Sequence, residues 1–128
     1  MTPVYRAASM KAFLRSFHFA FQGIGYVLRT QRNARVHVVV ACLVIIAGIY
    51  FRLTAVEWAV LALTIGTVFS AEMINTVAEL AVDLLTEQYH PMAKVAKDVG
   101  AGAVLVAAIA AIGVGLAIFG PRVWGMIR

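Results

Sequence analysis

Three long apolar runs constrain this chain more than any other feature: Val36 to Leu53, Val56 to Leu85 and Val99 to Phe119. A helix needs about 20 apolar residues to cross the hydrocarbon layer of a bilayer. The first and third runs are about that length, and the second, as a helix of about 45 Å, should project into the headgroups or water. With 62% of residues hydrophobic and only 13% charged, the chain is too apolar for an ordinary soluble domain. The expected fold is an all-α integral membrane protein in one domain, 1–128. Residues 1–35 should form a cytoplasmic or interfacial segment, and helices should cover 36–53, 56–85 and 91–119.

The second run carries a stripe that hydrocarbon alone would not tolerate. Glu72, Asn75, Glu79 and Asp83 fall within an arc of about 80° on a helix. A charge at the bilayer centre costs roughly 2.5–3.5 kcal/mol on insertion scales, so an intramembrane cluster without a cation or partner is costly. Asp83 should lie near the surface and Glu72 deeper. Two carboxylates and an amide oxygen suit a hard cation such as Mg²⁺, which keeps waters and binds substrate phosphates. Another carboxylate, left free of metal, could take a proton from an attacking hydroxyl.

The cations are distributed unevenly. Arg6, Lys11, Arg15, Arg29, Arg32 and Arg35 precede the first span with no acidic residue among them, and Lys94 and Lys97 lie in the second connection. Arg52, Arg122 and Arg128 fall on the other side. The positive-inside rule then puts the N-terminus and the second connection in the cytoplasm and the C-terminus outside, in a multi-pass membrane protein. The net charge of +5 reads as anchoring to anionic headgroups, not as nucleic-acid binding. The opening 35 residues contain no secretory h-region or cleavage site, so no removed leader is expected. Within Ala8 to Leu28, Met10, Phe13, Leu14, Phe17, Phe21, Ile24 and Leu28 recur at spacings of three and four, the pattern of an amphipathic helix lying in the interface.

Other residues carry weaker signals. The GIG at residues 23–25 lacks the context of a phosphate fingerprint, and no GxxxxGK[ST] occurs. Cys42 is a packing residue, His18 and His37 are headgroup-level polar residues, and Trp58 and Trp124 belong to an interfacial belt. Pro91 suits the first turn of the third span. Lys94, Lys97 and Asp98 cluster at its mouth, where the Lys97–Asp98 pair could face the stripe across a short gap; a lysine there could serve phosphates, or Lys94 or Lys97 could pair with Glu79 or Asp83 as buried ion pairs without chemistry. Gly100 and Gly102 permit close helix contact.

The run from Glu72 to Asp83, EMINTVAELAVD, resembles the ExxNTxxExxVD pattern of the prokaryotic diacylglycerol kinase family. Tyr89 to Asp98, YHPMAKVAKD, followed by AGAVL, looks like that family's second motif. Ser16-Phe17, Ala20, Gly23 and then Arg32-Asn33-Ala34-Arg35-Val36-His37 extend the resemblance upstream, over nearly the whole chain and in order.

That resemblance implies a lipid kinase with an amphipathic surface helix and three transmembrane helices. It would be a homotrimer with active sites shared between neighbours, moving the γ-phosphate of MgATP to a lipid alcohol. By position, Glu72 would be the general base at the acceptor hydroxyl and Glu79 a Mg²⁺ ligand. Tyr89, His90, Lys97 and Asp98, with Glu79, would contact ATP, while Asn33, Arg35, Glu72 and Asn75 would position lipid and phosphate groups. The family's other metal ligand, a glutamate before RNxR, falls on Gln31, which offers a neutral carbonyl oxygen and one negative charge fewer. Val77-Ala78 departs from a small residue followed by isoleucine, a matter of packing. The RNxRxH and YHPxAK patterns look more like the undecaprenol kinase branch than the diacylglycerol kinase branch. Two rival classes remain: a small proton-coupled transporter or channel cycling a proton on Glu72, and an accessory membrane protein with internal ion pairs.

Overall fold

The computed structural model describes residues 10–128. Residues 1–9, with Arg6 and the start of the expected amphipathic segment, lie outside the described residues. All described elements are helices: α1 (Met10–Thr30), α2 (Arg32–Tyr50), α3 (Ala55–Leu85) and α4 (Pro91–Ile127). The last three are each long and apolar enough to cross a membrane.

The boundaries have local causes. Gln31 alone is extended between α1 and α2, with φ −97° and ψ 115°. The first span therefore begins at Arg32, four residues before the apolar run, because helical hydrogen bonding does not wait for apolar side chains. It also ends sooner than expected, at Tyr50. Arg52 adopts a left-handed φ of 52°, its N–H bonds Ile49 O at 3.2 Å, and the Leu53 N–H bonds Gly48 O at 3.1 Å. This is a Schellman termination with arginine where glycine is usual.

Thr54 then caps α3. Its hydroxyl accepts from the Glu57 N–H at 3.4 Å, and Glu57 Oε2 accepts from the Thr54 N–H at 2.8 Å. The two bonds form a reciprocal capping box. At α4, His90 Nδ1 accepts from the Met92 N–H at 3.2 Å, and Pro91 occupies the first turn. The helix does not stop at Phe119 as expected. It passes through Pro121 and reaches Ile127, since the loss of one backbone donor is tolerated near a helix end.

α3 and α4 form an antiparallel hairpin that dominates the packing, and α2 leans on α3 more lightly. At the end where α2 turns into α3, Leu53, Leu61 and Ile118 are buried among Val44, Trp58, Ile65, Val114 and Phe119. Gly48 makes this closure possible, because a Cβ there would lie 2.7 Å from the Trp58 ring. Trp58 is thus partly packed inside, whereas Trp124 is exposed with Arg128 5.8 Å over its ring. Glu57 also meets Arg122 of α4 at 2.9 Å, tying the start of α3 to the last turns of α4.

Burial is inverted relative to a soluble domain. Leu43, Ile46, Leu63, Val106 and Ile109 are exposed, whereas Glu72, Asn75 and Thr76 are among the most buried residues. A hydrocarbon solvent accounts for both observations: apolar side chains gain nothing by leaving it, and polar ones lose by entering it.

Candidate active site

The acidic stripe lies where its helical spacing predicts, on one side of α3, but each residue meets a different partner. Glu72 is 2% exposed, and its Oε1 lies 3.3 Å from His37 Nε2 on α2. Thr76 is equally buried and donates its hydroxyl to Glu72 O at 2.9 Å, anchoring the backbone of that turn. One turn toward the opposite end, Asn75 Nδ2 donates to Glu79 Oε1 at 3.1 Å. Gln31 Nε2 donates to Glu79 Oε2 at 3.2 Å, across 48 positions of sequence. The single extended residue between α1 and α2 thus delivers its amide to the middle of the stripe.

Asp83 sits a further turn out and meets Lys97 of α4 at 2.5 Å, with both side chains exposed. Lys94 pairs with Asp98 one turn along α4. These contacts revise the expected layout. Lys97 and Asp98 do not face the stripe as a pair: the antiparallel crossing sets Lys97 opposite Asp83, and the four-residue helical spacing ties Asp98 to Lys94. The ion pair considered for Asp83 is present, but exposed rather than buried.

The remaining sequence candidates are more dispersed. Tyr89 is 80% exposed in the α3–α4 connection, and His90 beside it caps α4. Asn33 is exposed on the first turn of α2, and Arg35 Nη1 donates to Arg29 O at 3.1 Å. Three residues gain a place that sequence reasoning did not assign. His37 lies against Glu72. Thr76 holds the Glu72 backbone. Gly100 of α4 lies where any Cβ would collide with Asn75 Oδ1. His37 and Thr76 stood within recognised motifs, and Gly100 in a small-residue run, but none carried a sign of its partner.

Among the described residues, no three His, Cys, Asp or Glu side chains converge as a self-sufficient metal site. The donor set at Glu79 is nonetheless one of hard oxygens. It comprises the Glu79 carboxylate and the Gln31 amide, whose O and N can exchange by rotation; Asn75 Oδ1, buried without a hydrogen-bond partner, faces Gly100 of α4 instead. Such a set fits a Mg²⁺ whose remaining positions are filled by water and phosphate. An apolar groove of about 370 Å³ opens between α2, α3 and α4, with His37 at its lining together with Val40, Val44, Leu61, Ile65 and Ile112.

A small helical membrane protein with a buried carboxylate, an amide–carboxylate network beside it and a lysine at the surface is the class that fold and site define. A family model for prokaryotic diacylglycerol kinase matches residues 18–119. The undecaprenol kinase of Bacillus subtilis (strain 168) is 44% identical over 113 residues, covering 88% of this chain and 92% of that protein. The diacylglycerol kinase of Synechocystis sp. is 50% identical over 103 residues, covering 80% of this chain and 59% of the other. That of Escherichia coli (strain K12) is 24% identical over 99 residues, with coverage of 77% and 81%. The chain belongs to the prokaryotic diacylglycerol kinase family, and so to the bacterial membrane lipid kinases.

Proposed function

We propose that the protein transfers the γ-phosphate of MgATP to the hydroxyl of a membrane lipid alcohol, with undecaprenol favoured over diacylglycerol. The observation that carries the reading is Glu72, 2% exposed and touching a histidine that also lines an apolar groove. A carboxylate so placed can meet a hydroxyl whose tail stays in hydrocarbon. Preference for undecaprenol rests on the RNxRxH and YHPxAK patterns and on the longer coverage of the Bacillus relative.

In this reading Glu72 accepts the proton of the lipid hydroxyl as its oxygen bonds the γ-phosphorus and the bond to ADP breaks. Glu79 and Gln31 hold Mg²⁺, and Asn75 keeps the Glu79 carboxylate oriented. When bound, the cation supplies charge neutralisation across the β- and γ-phosphates. Lys97 exchanges Asp83 for a phosphate oxygen when nucleotide arrives. Tyr89, His90 and Asp98 contact ATP, and Asn33 and Arg35 position lipid and phosphate groups.

A homotrimer with shared sites is part of the proposal. Tyr89, His90 and Asp98 are exposed and apart from the Glu79 network, as residues serving a neighbour's site would be. Ala62, Gly66, Thr67, Ser70 and Ala71, flanked by Leu63 and Ile74, form a shallow concavity on α3, away from the Glu72 side, where helices of other copies can approach closely over the small residues. α1 is taken as the amphipathic surface helix, with its N-terminus cytoplasmic and the C-terminus of α4 outside.

The test is γ-³²P transfer from MgATP to undecaprenol and to diacylglycerol by the full chain in detergent and in proteoliposomes. Labelled lipid monophosphate that disappears on chelating Mg²⁺ is expected, with undecaprenol the better acceptor. If neither lipid is labelled and a Glu72-dependent ion flux is found instead, the transporter reading replaces this one.

A further inference from the structure

Glu72 Oε1 is buried and has no hydrogen-bond partner, although His37 Nε2 lies only 3.3 Å away. The distance suits a weak contact, but the ring N–H is not aligned for a bond. A carboxylate removed from water without a donor is costly, and the neighbouring donors are engaged elsewhere. Thr76 gives its hydroxyl to the Glu72 backbone carbonyl, and the Asn75 amide donates to Glu79. His37 is the side chain within reach, and its own side chain is 23% exposed, enough room for the ring to turn. Hydrogen bonds to a catalytic base are commonly long or misaligned before substrate binds and tighten in the complex.

Building on the lipid kinase reading, we infer that His37 is the positioning residue for Glu72: its Nε2–H holds Oε1 and leaves Oε2 for the proton of the lipid hydroxyl. The placement has a second consequence. His37 lines the apolar groove, so one ring borders both the base and the space suited to a lipid tail. A donor at that junction fixes the rotamer of Glu72 against displacement by the entering chain. It also means that a residue on α2 completes a base carried on α3, across a lighter contact than the one between α3 and α4.

The experiment compares wild type with His37→Gln, which keeps an N–H donor near the Nε2 position, and with His37→Phe and His37→Leu, which keep bulk without one. Each full-length variant is purified in detergent, checked for wild-type thermal stability, and assayed for kcat and for KM towards MgATP and lipid. The expected result is a fall in kcat of about tenfold to a hundredfold for Phe and Leu, the scale of losing one hydrogen bond to a charged group. KM for MgATP should be unchanged, and Gln should recover most of the rate. Either donorless variant suffices if the other does not fold. Wild-type kcat in a folded donorless variant overturns the role, as does a Gln variant as slow as Phe and Leu. A change confined to KM for lipid also overturns it, since His37 would then serve the groove alone. If the wild type labels neither lipid, the kinase reading falls and the His37 role with it; an active wild type isolates the failure to His37.

Discussion

Among the described residues, two side-chain oxygens, Glu72 Oε1 and Asn75 Oδ1, are buried without a hydrogen-bond partner, and native proteins rarely keep such atoms without use. Glu72→Gln keeps the size and removes the proton acceptor. It is expected to lower phosphoryl transfer by about a hundredfold or more, the usual contribution of a positioned base, while leaving thermal stability near that of wild type. Strong residual turnover would remove Glu72 from that role. Gln31→Glu places a second carboxylate against Glu79. Its activity should reach half-maximum at lower Mg²⁺ than wild type, and its melting temperature should rise more on adding Mg²⁺, because two adjacent anions repel until a cation joins them. An unchanged Mg²⁺ dependence of both would count against Gln31 as a ligand. The exposed Asp83–Lys97 pair is different: such a pair is worth about 0–1 kcal/mol, so Asp83→Asn should barely affect stability.

At the scale of elements, the α3–α4 hairpin is as close as one missing Cβ allows. Gly100→Ala would push against Asn75 Oδ1, which has no flexible length to give, and through Asn75 against Glu79. Overpacking of this kind costs typically about 1–3 kcal/mol, so both melting temperature and activity should fall. Gly102→Ala, where a Cβ meets nothing within 4 Å, is the control and should be neutral or slightly stabilising, since alanine is the better helix former. At the other end of the hairpin, Arg52 holds a left-handed conformation that costs a residue with a Cβ about 1–2 kcal/mol. Arg52→Gly should therefore raise the melting temperature, which a thermal shift measurement in detergent reads directly.

Over the whole molecule, the buried core lies at one end and the polar site at the other. Leu53, Leu61 and Ile118, with the Glu57–Arg122 pair, close the end where α2 turns into α3, while Gln31, Glu79, Asp83 and Lys97 occupy the other. Orientation follows from the same axis: the cation-rich site end should face the cytoplasm, where ATP is. A reporter fused after Arg128 should read as outside. A cytoplasmic reading would reverse the orientation and leave the site without nucleotide.

The sequence alone determined the three spans, because about 20 apolar residues have few alternatives in a chain this hydrophobic. It also determined the one-sided stripe on α3, because helical period is a local property. The start of α4 at Pro91 was legible for the same reason. What each stripe residue touches was decided only by the tertiary structure. His37 with Glu72, Gln31 with Glu79 and Arg122 with Glu57 join different helices, and their register depends on how closely the helices pack and where one residue breaks α1 from α2. Sequence periodicity gives the angle of a side chain about its own axis; it carries no information about the height at which a second helix meets it.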